Sequence, residues 1–563
     1  MLADATSGSG DGPSAASDAA FSLWLKRSGI VWDGLRIHYK PDCGAHVFTA
    51  QQYDEGDVMC EIPKSAVLSV LTASSAPALR WLVDCYGVQP DEALNMAVAY
   101  ERSLGAASKW YGYFCTLPQC EPLPCMWPAS QLMRLLAGTG LDVEARAKRQ
   151  GLASEYQQIR EALEALTASS KDQETCRLAF QMLDVVGAAD YLHAASLTAS
   201  RAFFVDEHHG EALVPFADLL NHKPALVPEG AQLEDGDDGD EDEDEDESEE
   251  EGESHNSQGG GESAGIASQE DGRIASSARR QAAVRLAARW GVSIEMDTTL
   301  HNLAADGDGD GGDDGCDSDG SEDDLHASAF QGHVALVALR PLPAGAEVFN
   351  TYGEHGSRAL LSSYGFALAS NPLDVAELPW RAVRDAAVTH LPGGARAARA
   401  RERFLRRHPA CGAIFRSLVP TSRATFRFDC EGVPPPGLIL ALAWLLMPHD
   451  ESIDRVRDVR AAARELLTTD DGRDTLKLLR RLPWPSVTPL QEVLRDAIRT
   501  HASAAFPPIV LASAHSEEDG HKLAQRHAYD GSDAALYHVT LLARAELRIW
   551  RAADANLGSR RRE

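Results

Sequence analysis

Between Phe21 and Val70 apolar and polar positions alternate in short runs broken by turns. Phe21–Lys26 predicts a short helix, and Gly34–His38, His46–Ala50 and Asp57–Pro63 predict strands, the last running on into Ser65–Val70. Short strands at this spacing point to small sheets rather than βαβ units. From Leu79 to about Leu197 the period changes. Ala93–Leu104 and Ser154–Thr167 place apolar residues at i, i+3, i+4 and i+7, the mark of amphipathic helices. A passage rich in Pro, Trp and Cys, Ser108–Pro128, interrupts them. Ser200–Phe204, Val214–Leu220 and His333–Leu339 return to strand-like apolar character. Glu347–Phe366 then packs a short strand (Glu347–Phe349), a tight turn (Asn350–Gly353) and an amphipathic helical turn into one stretch. Beyond Asn371 the pattern is nearly all helical, with apolar stripes in Ala395–Arg407, Asp454–Leu467, Thr475–Leu482, Leu490–Ala504 and Asp533–Ala553.

Charge changes this picture in one region. The chain has 563 residues and a formal net charge of -32. Glu234–Glu253 holds 16 carboxylates and Asp306–Asp324 ten, neither with a Lys or Arg. Removing those 26 leaves about -6 for everything else, ordinary for a soluble protein. Runs of like charge mixed with Gly and Ser cannot offset their ordering entropy. Residues 228–326 are therefore expected to be an acidic, disordered insertion in a loop, with one segment of helical composition, Ser277–Trp290, between the tracts. Residues 1–18 are expected to be a disordered N-terminus.

Ten unpatterned cysteines and no basic, apolar leader point to a reducing compartment. The apolar run Leu438–Met447 is about half a membrane span. A soluble monomer of the nucleus or cytoplasm is expected, without nucleic-acid or membrane partners. No Gly-rich phosphate loop follows a strand, which argues against a Rossmann enzyme. Cys115, Cys120 and Cys125 are too few and too widely spaced for a tetrahedral zinc site. Asp306–Asp317 imitates a calcium loop only through its low complexity. No metal is expected.

Two motifs carry the chemistry. VPFADLLNH (Val214–His222) ends an apolar run in Asn221-His222, and NTYG (Asn350–Gly353) ends another. Either alone reads as turn chemistry. Together with CGAHVFTAQQYDEGDVMCEIPKSAVLS (Cys43–Ser69), SKWYGYFCTLP, SRAF (Ser200–Phe203) and SSYGF (Ser362–Phe366), in this order, the chain resembles the SET-domain protein-lysine methyltransferases of the Rubisco-methyltransferase-like class.

That resemblance implies an α+β fold: a β-rich SET domain of small sheets with a knot-like active site, split by a helical insert, then an all-α C-terminal substrate-binding domain. Its expected divisions are 19–75 and 199–370 for the SET domain, 76–198 for the insert and 371–563 for the helical domain. It also implies S-adenosylmethionine as cofactor and a lysine presented by a non-histone protein as substrate, with ribosomal proteins as one candidate class. By resemblance Tyr352 is catalytic and also contacts substrate; Cys43, Gly44, Ala45, Asn221, His222 and Tyr364 hold the cofactor; Arg201, Asp218 and Trp110 line the lysine channel. Methyl transfer is an in-line displacement, so positioning dominates and neither metal nor strong nucleophile is needed. Two departures stand out: His46 occupies a position where the class usually has a second Gly, and Ser357 one where it commonly has Asn. Histidine methylation of a cytoskeletal protein, or a non-catalytic protein-binding SET scaffold, are the alternatives.

Overall fold

The computed structural model describes residues 15–40, 44–224, 298–303, 332–407, 412–422, 424–446, 488–515 and 533–558. The first helix, Ala15–Arg27, begins inside the N-terminal stretch expected to be disordered and buries Phe21 and Leu25. Four strands follow: β1 (Val31–Trp32), β2 (Leu35–Lys40), β3 (Gly44–Thr49) and β4 (Val58–Pro63). β2 and β3 form a hairpin. The expected continuation at Ser65–Val70 is instead a 3-10 turn at Lys64–Ala66, followed by a single bridge between Leu68 and Leu213.

The stretch expected to be a helical insert contains Ala76–Trp81, Pro90–Ser103, Ala129–Leu136, Leu141–Ser169, Gln173–Val185 and Ala188–Arg201, joined by turns and one-turn helical pieces. The Ser108–Pro128 passage supplies several such turns, because its prolines forbid a continuous helix. β5 (Ala202–Asp206) and β6 (Gly210–Leu213) make a second hairpin. After these come β7 (Asn221–His222), β8 (Thr298–Leu303), β9 (His333–Ala338) and β10 (Phe349–Asn350).

β1, β4, β9 and β8 form an antiparallel sheet in that order. β8 lies inside the segment expected to be a disordered insertion, and its six residues pair with β9 from Thr298–Ala338 to Leu303–His333. The rest of 228–326, including Ser277–Trp290 and both acidic tracts, lies outside the described residues. Val214–Leu220, expected to be strand-like, is not a strand. Pro215 lacks an amide donor, Phe216 takes a φ of 83°, and Ala217–Leu219 closes a 3-10 turn.

The C-terminal part is helical, with one departure from an all-α layer. β11 (Ala376–Pro379) and β12 (Thr425–Phe428) form a two-stranded ribbon against the Trp380–Ala387 helix. The helices expected at Asp454–Leu467 and Thr475–Leu482 lie outside the described residues. One apolar cluster joins the strands to the insert helices, from Phe21 to Val348. A second runs from Ala376 to Leu557. A third packs insert residues such as Leu132 and Leu136, with Leu361, against Phe506, Val539 and Leu542. The insert thus shares its core with both neighbours.

Candidate active site

Phe216 sets the geometry. A bulky residue at φ 83°, ψ -48° is uncommon and costs of order 1–3 kcal/mol. Complete burial of Phe216, with its ring 5.8 Å from Trp32, holds the bend. The chain is thereby turned so that Asp218 points into the interior and Leu220–His222 emerges as β7. β10 runs parallel to β7, with Phe349 opposite Asn221 and Asn350 opposite His222. The two motifs of the sequence therefore lie side by side, and Lys223 N donates to Asn350 O at 3.0 Å.

Tyr352 follows directly. Its amide donates to His222 Nδ1 at 3.0 Å, and its hydroxyl donates to Leu220 O at 2.8 Å. A ring nitrogen that accepts from an N–H carries no proton, so His222 has its proton on Nε2. Burial, with His355 nearby, holds His222 down at about 4, consistent with a neutral ring. Burial also holds the Tyr352 phenol well above its ordinary value. The Tyr352 ring lies 4.8 Å from Tyr364, 5.1 Å from His222 and 6.3 Å from Phe366. Tyr364 donates its hydroxyl to Tyr352 O at 3.3 Å. Gly365 ends the Ser357–Tyr364 helix at φ 83°, and a Cβ there would stand 3.0 Å from Pro122 O. Only glycine fits that close approach, which fixes where Tyr364 and Phe366 stand.

Asn221 lies on the other side of this cluster. Its amide nitrogen reaches Ala45 O and Glu347 Oε1, each at 3.1 Å. Glu347 Oε1 also accepts from His46 Nδ1 at 2.6 Å. This clamp ties the β3 backbone to both motifs, and the sequence did not reveal Glu347 or His46 as members of it. Gly44 has a φ of 75° and nothing within 4 Å of where a Cβ would be. Cys43 lies outside the described residues.

Beneath Tyr352 runs a buried polar chain. Arg201 Nε donates to Glu121 Oε1 at 2.6 Å, and its Nη1 donates to Asp218 Oδ2 at 3.2 Å. Tyr113 OH donates to the same Asp218 oxygen at 2.7 Å. Burial pushes the Asp218 carboxyl up against the pull of Arg201. Arg201 and Asp218 are near enough to Tyr352 to act on its hydroxyl in opposite directions. Glu121 and Tyr113 were not singled out in the sequence, where they read as part of an irregular connection. Trp110 stands elsewhere in the core, donating its indole N–H to Ala66 O at 2.9 Å, with Lys109 Nζ 4.1 Å from its ring centre. Its neighbour Tyr113 is the insert aromatic that reaches Asp218.

Three buried polar atoms here have no hydrogen-bond partner among the described residues: His46 Nε2, His222 Nε2 and Asp218 Oδ1. Leaving such a group unmet costs about 1–3 kcal/mol. Beside an open Gly44 cradle and an aromatic wall, they fit a polar ligand that also carries a flat ring. Among the described residues no three His, Cys, Asp or Glu side chains gather as a metal site.

No family model matches the chain. Rat "N-lysine methyltransferase SETD6" is 26% identical over 40% of this chain and 48% of its own length. An Arabidopsis chloroplastic fructose-bisphosphate aldolase-lysine N-methyltransferase is 25% identical over 37% and 40%. Yeast "Ribosomal lysine N-methyltransferase 3" is 29% identical over 33% and 36%. The chain thus spans less than half the length of these curated relatives. In structure it is similar to the SET domain of LSMT bound to methyl-lysine and AdoHcy, with a TM-score of 0.52 and 15% identity over 97% of this chain and 91% of that one. Rubisco LSMT bound to AdoMet gives a TM-score of 0.51 over 96% and 91%. In fold the chain is thus similar to the SET domain of LSMT, and over part of its length its sequence is similar to curated protein-lysine methyltransferases.

Proposed function

We propose that this protein is an S-adenosylmethionine-dependent protein-lysine N-methyltransferase acting on a non-histone protein in the nucleus or cytoplasm, with ribosomal proteins as one candidate class. The observation that carries the reading is the Tyr352 hydroxyl on Leu220 O, with the Tyr352 amide locked to His222. A phenol and a main-chain carbonyl set side by side offer the oxygens that suit transfer of a methyl group between two ligands.

When bound, the cofactor supplies an electrophilic sulfonium methyl. Gly44, Ala45, Asn221, His222 and Tyr364 would hold it: His222 Nε2–H and the Gly44–Ala45 backbone offer polar contacts, and the Tyr364 and Phe366 rings offer an apolar wall. On the opposite side Asp218, through its unmet Oδ1, would accept a proton or hydrogen bond from the substrate amine. Arg201 and Tyr113 keep that carboxylate in place. Burial around Tyr352 excludes water and favours the neutral amine that must attack.

The test is purified full-length protein with radiolabelled S-adenosylmethionine and a cell extract. Labelled lysines, identified by mass spectrometry, are expected, and Asn221→Ala combined with Tyr352→Phe should abolish labelling. Undiminished labelling by that double variant rejects the reading. Label found on histidine instead would favour the histidine-methylating alternative, and no label with intact cofactor binding would favour a non-catalytic scaffold.

A further inference from the structure

A cavity of about 430 Å³ lies where three parts of the chain meet. Leu141 and Glu144 of the insert line one side, His355 to Ser363 of the catalytic half another, and Asp374, Glu377, Arg427 and Asp429 of the C-terminal part a third. It adjoins the site already described. The His355 ring is 6.0 Å from Tyr364, whose own ring is 4.8 Å from Tyr352.

The charge of its wall is predominantly negative. Glu144, Glu354, Asp374, Glu377 and Asp429 give five carboxylates against the two guanidinium groups of Arg358 and Arg427. Both cations are already engaged. Arg358 Nη2 is 2.9 Å from Glu546 Oε1, and Arg427 Nε is 3.1 Å from Glu377 Oε1. Asp374 sits in the wall at 5% exposure. Its Oδ1 accepts from the Ser357 amide at 2.7 Å, while its Oδ2 is buried with no hydrogen-bond partner among the described residues. Burial pushes the Asp374 carboxyl up to about 6, against the opposing pull of the Ser357 amide and of Arg548. An apolar or anionic occupant would leave Oδ2 unmet and a neutral donor would meet only its hydrogen bond, whereas a cationic donor would meet both the hydrogen bond and the charge.

We propose that this cavity takes a basic side chain of the protein substrate, an arginine or a second lysine near the lysine to be methylated. The proposal rests on the methyltransferase reading for the identity of that protein, but not for the binding event. Arginine suits the wall best, because its planar fork offers several charged donors to a carboxylate-rich wall. The juxtaposition also selects substrates: a chain threaded past Tyr352 with a base at the right distance fills the cavity, and one without leaves Asp374 unpaired.

The experiment uses the full chain with S-adenosylhomocysteine and fluorescent alanine-serine peptides that hold one lysine. A single arginine is moved stepwise along either side of it, and each peptide has a twin with neutral citrulline in its place. Anisotropy should show one spacing at which the arginine peptide binds roughly tenfold tighter than its twin. Asp374→Asn should erase that preference, and Glu144→Gln, which leaves the Ser357 contact intact, should weaken it. Equal binding of every arginine–citrulline pair overturns the proposal. A parallel assay replaces S-adenosylhomocysteine by radiolabelled S-adenosylmethionine, the methyl donor. A binding preference with no label on any peptide leaves the cavity assignment standing and counts against the enzymatic reading, and label on the peptides without any preference does the reverse.

Discussion

The Tyr352 hydroxyl donates to the main-chain carbonyl of Leu220 at 2.8 Å, joining residues 132 positions apart. A phenol held this way has spent its one donor and keeps its oxygen as an acceptor. Tyr352→Phe keeps the ring that packs on Tyr364 and His222 and removes only the hydroxyl. The turnover number should fall roughly 100-fold, the usual cost of one positioned polar group at a reacting centre. Affinity for S-adenosylhomocysteine, measured by calorimetry, should change by less than about fivefold, because a single neutral contact is worth about 1 kcal/mol or less. A large loss of affinity instead would place the hydroxyl in cofactor binding.

The clamp of Asn221, Glu347 and His46 makes the complementary forecast. Glu347→Gln keeps the shape but removes the charge that receives both His46 Nδ1 and the Asn221 amide. The β3 backbone at Ala45 loses part of its tether, so cofactor affinity should drop roughly 10-fold to 100-fold, as for loss of a charge-assisted hydrogen bond. The turnover number at saturating cofactor should hold within a factor of about three. An unchanged dissociation constant would remove Glu347 from the cofactor side.

Glu121, Arg201 and Asp218 form a buried ionic chain in which Arg201 faces two carboxylates. Glu121→Ala leaves the 22%-exposed Arg201 side chain with half its partners, and should destabilise the fold by about 3–5 kcal/mol in urea unfolding. Replacing Glu121, Arg201 and Asp218 together by apolar residues of similar size should cost less than Glu121→Ala while abolishing activity. If the triple variant is the less stable, the chain contributes stability as well as position.

Two buried histidines set the acid limit. Burial lowers both His222 and His538 to about 4 from 6.5. Between those values the unfolded chain binds protons that the folded chain refuses, so stability is full above about 6.5 and falls as pH drops through 4. For His222 this amounts to roughly 3 kcal/mol, at 1.36 kcal/mol for each pKa unit. Asp374, raised to about 6 by burial, has the opposite sign: its contribution is complete below about 3.8 and is lost as pH rises through 6. His222→Asn should flatten the decline between pH 7 and 5 in denaturant titrations, and Asp374→Asn should steepen it. Parallel profiles for both variants and wild type would contradict the assignment.

How far the sequence reached can be judged residue by residue. The pairing of Asn221-His222 with NTYG was legible because both motifs are local, and the parallel β7–β10 register brings them together. The insert helices were legible from their period, since their apolar faces meet one core. Val214–Leu220 misled because an apolar run without period cannot tell a buried turn from a strand, and the φ of Phe216 leaves no compositional mark. Glu121, Glu347 and His46 were hidden for a different reason: their partners are 80, 126 and 301 positions away. Arg427 and Glu377, alternating along β12 and β11, were read within a helical stretch because a four-residue ribbon is too short to show its period.

β8 is the largest departure, and it gives the last forecast. TTLHNL carries the β-branched and alternating character of a strand, but it lies between tracts whose charge dominates any window. Its ladder with β9 covers the flank of a sheet whose next strand, β4, leads into the Lys64–Ala66 turn. Deleting only 234–253 removes 16 carboxylates and none of the residues that pair with β9, so the melting temperature should move by no more than about 2 °C, as for surface changes. Deleting 228–326 also removes β8 and leaves β9 as an unpaired edge with Val334 and Leu336 at its centre. That variant should melt several degrees lower, by about 2–4 °C for each kcal/mol lost, and should aggregate through the new edge. Calorimetry and light scattering on the two deletions decide the matter: identical melting and identical solubility would mean that β8 contributes nothing to the sheet.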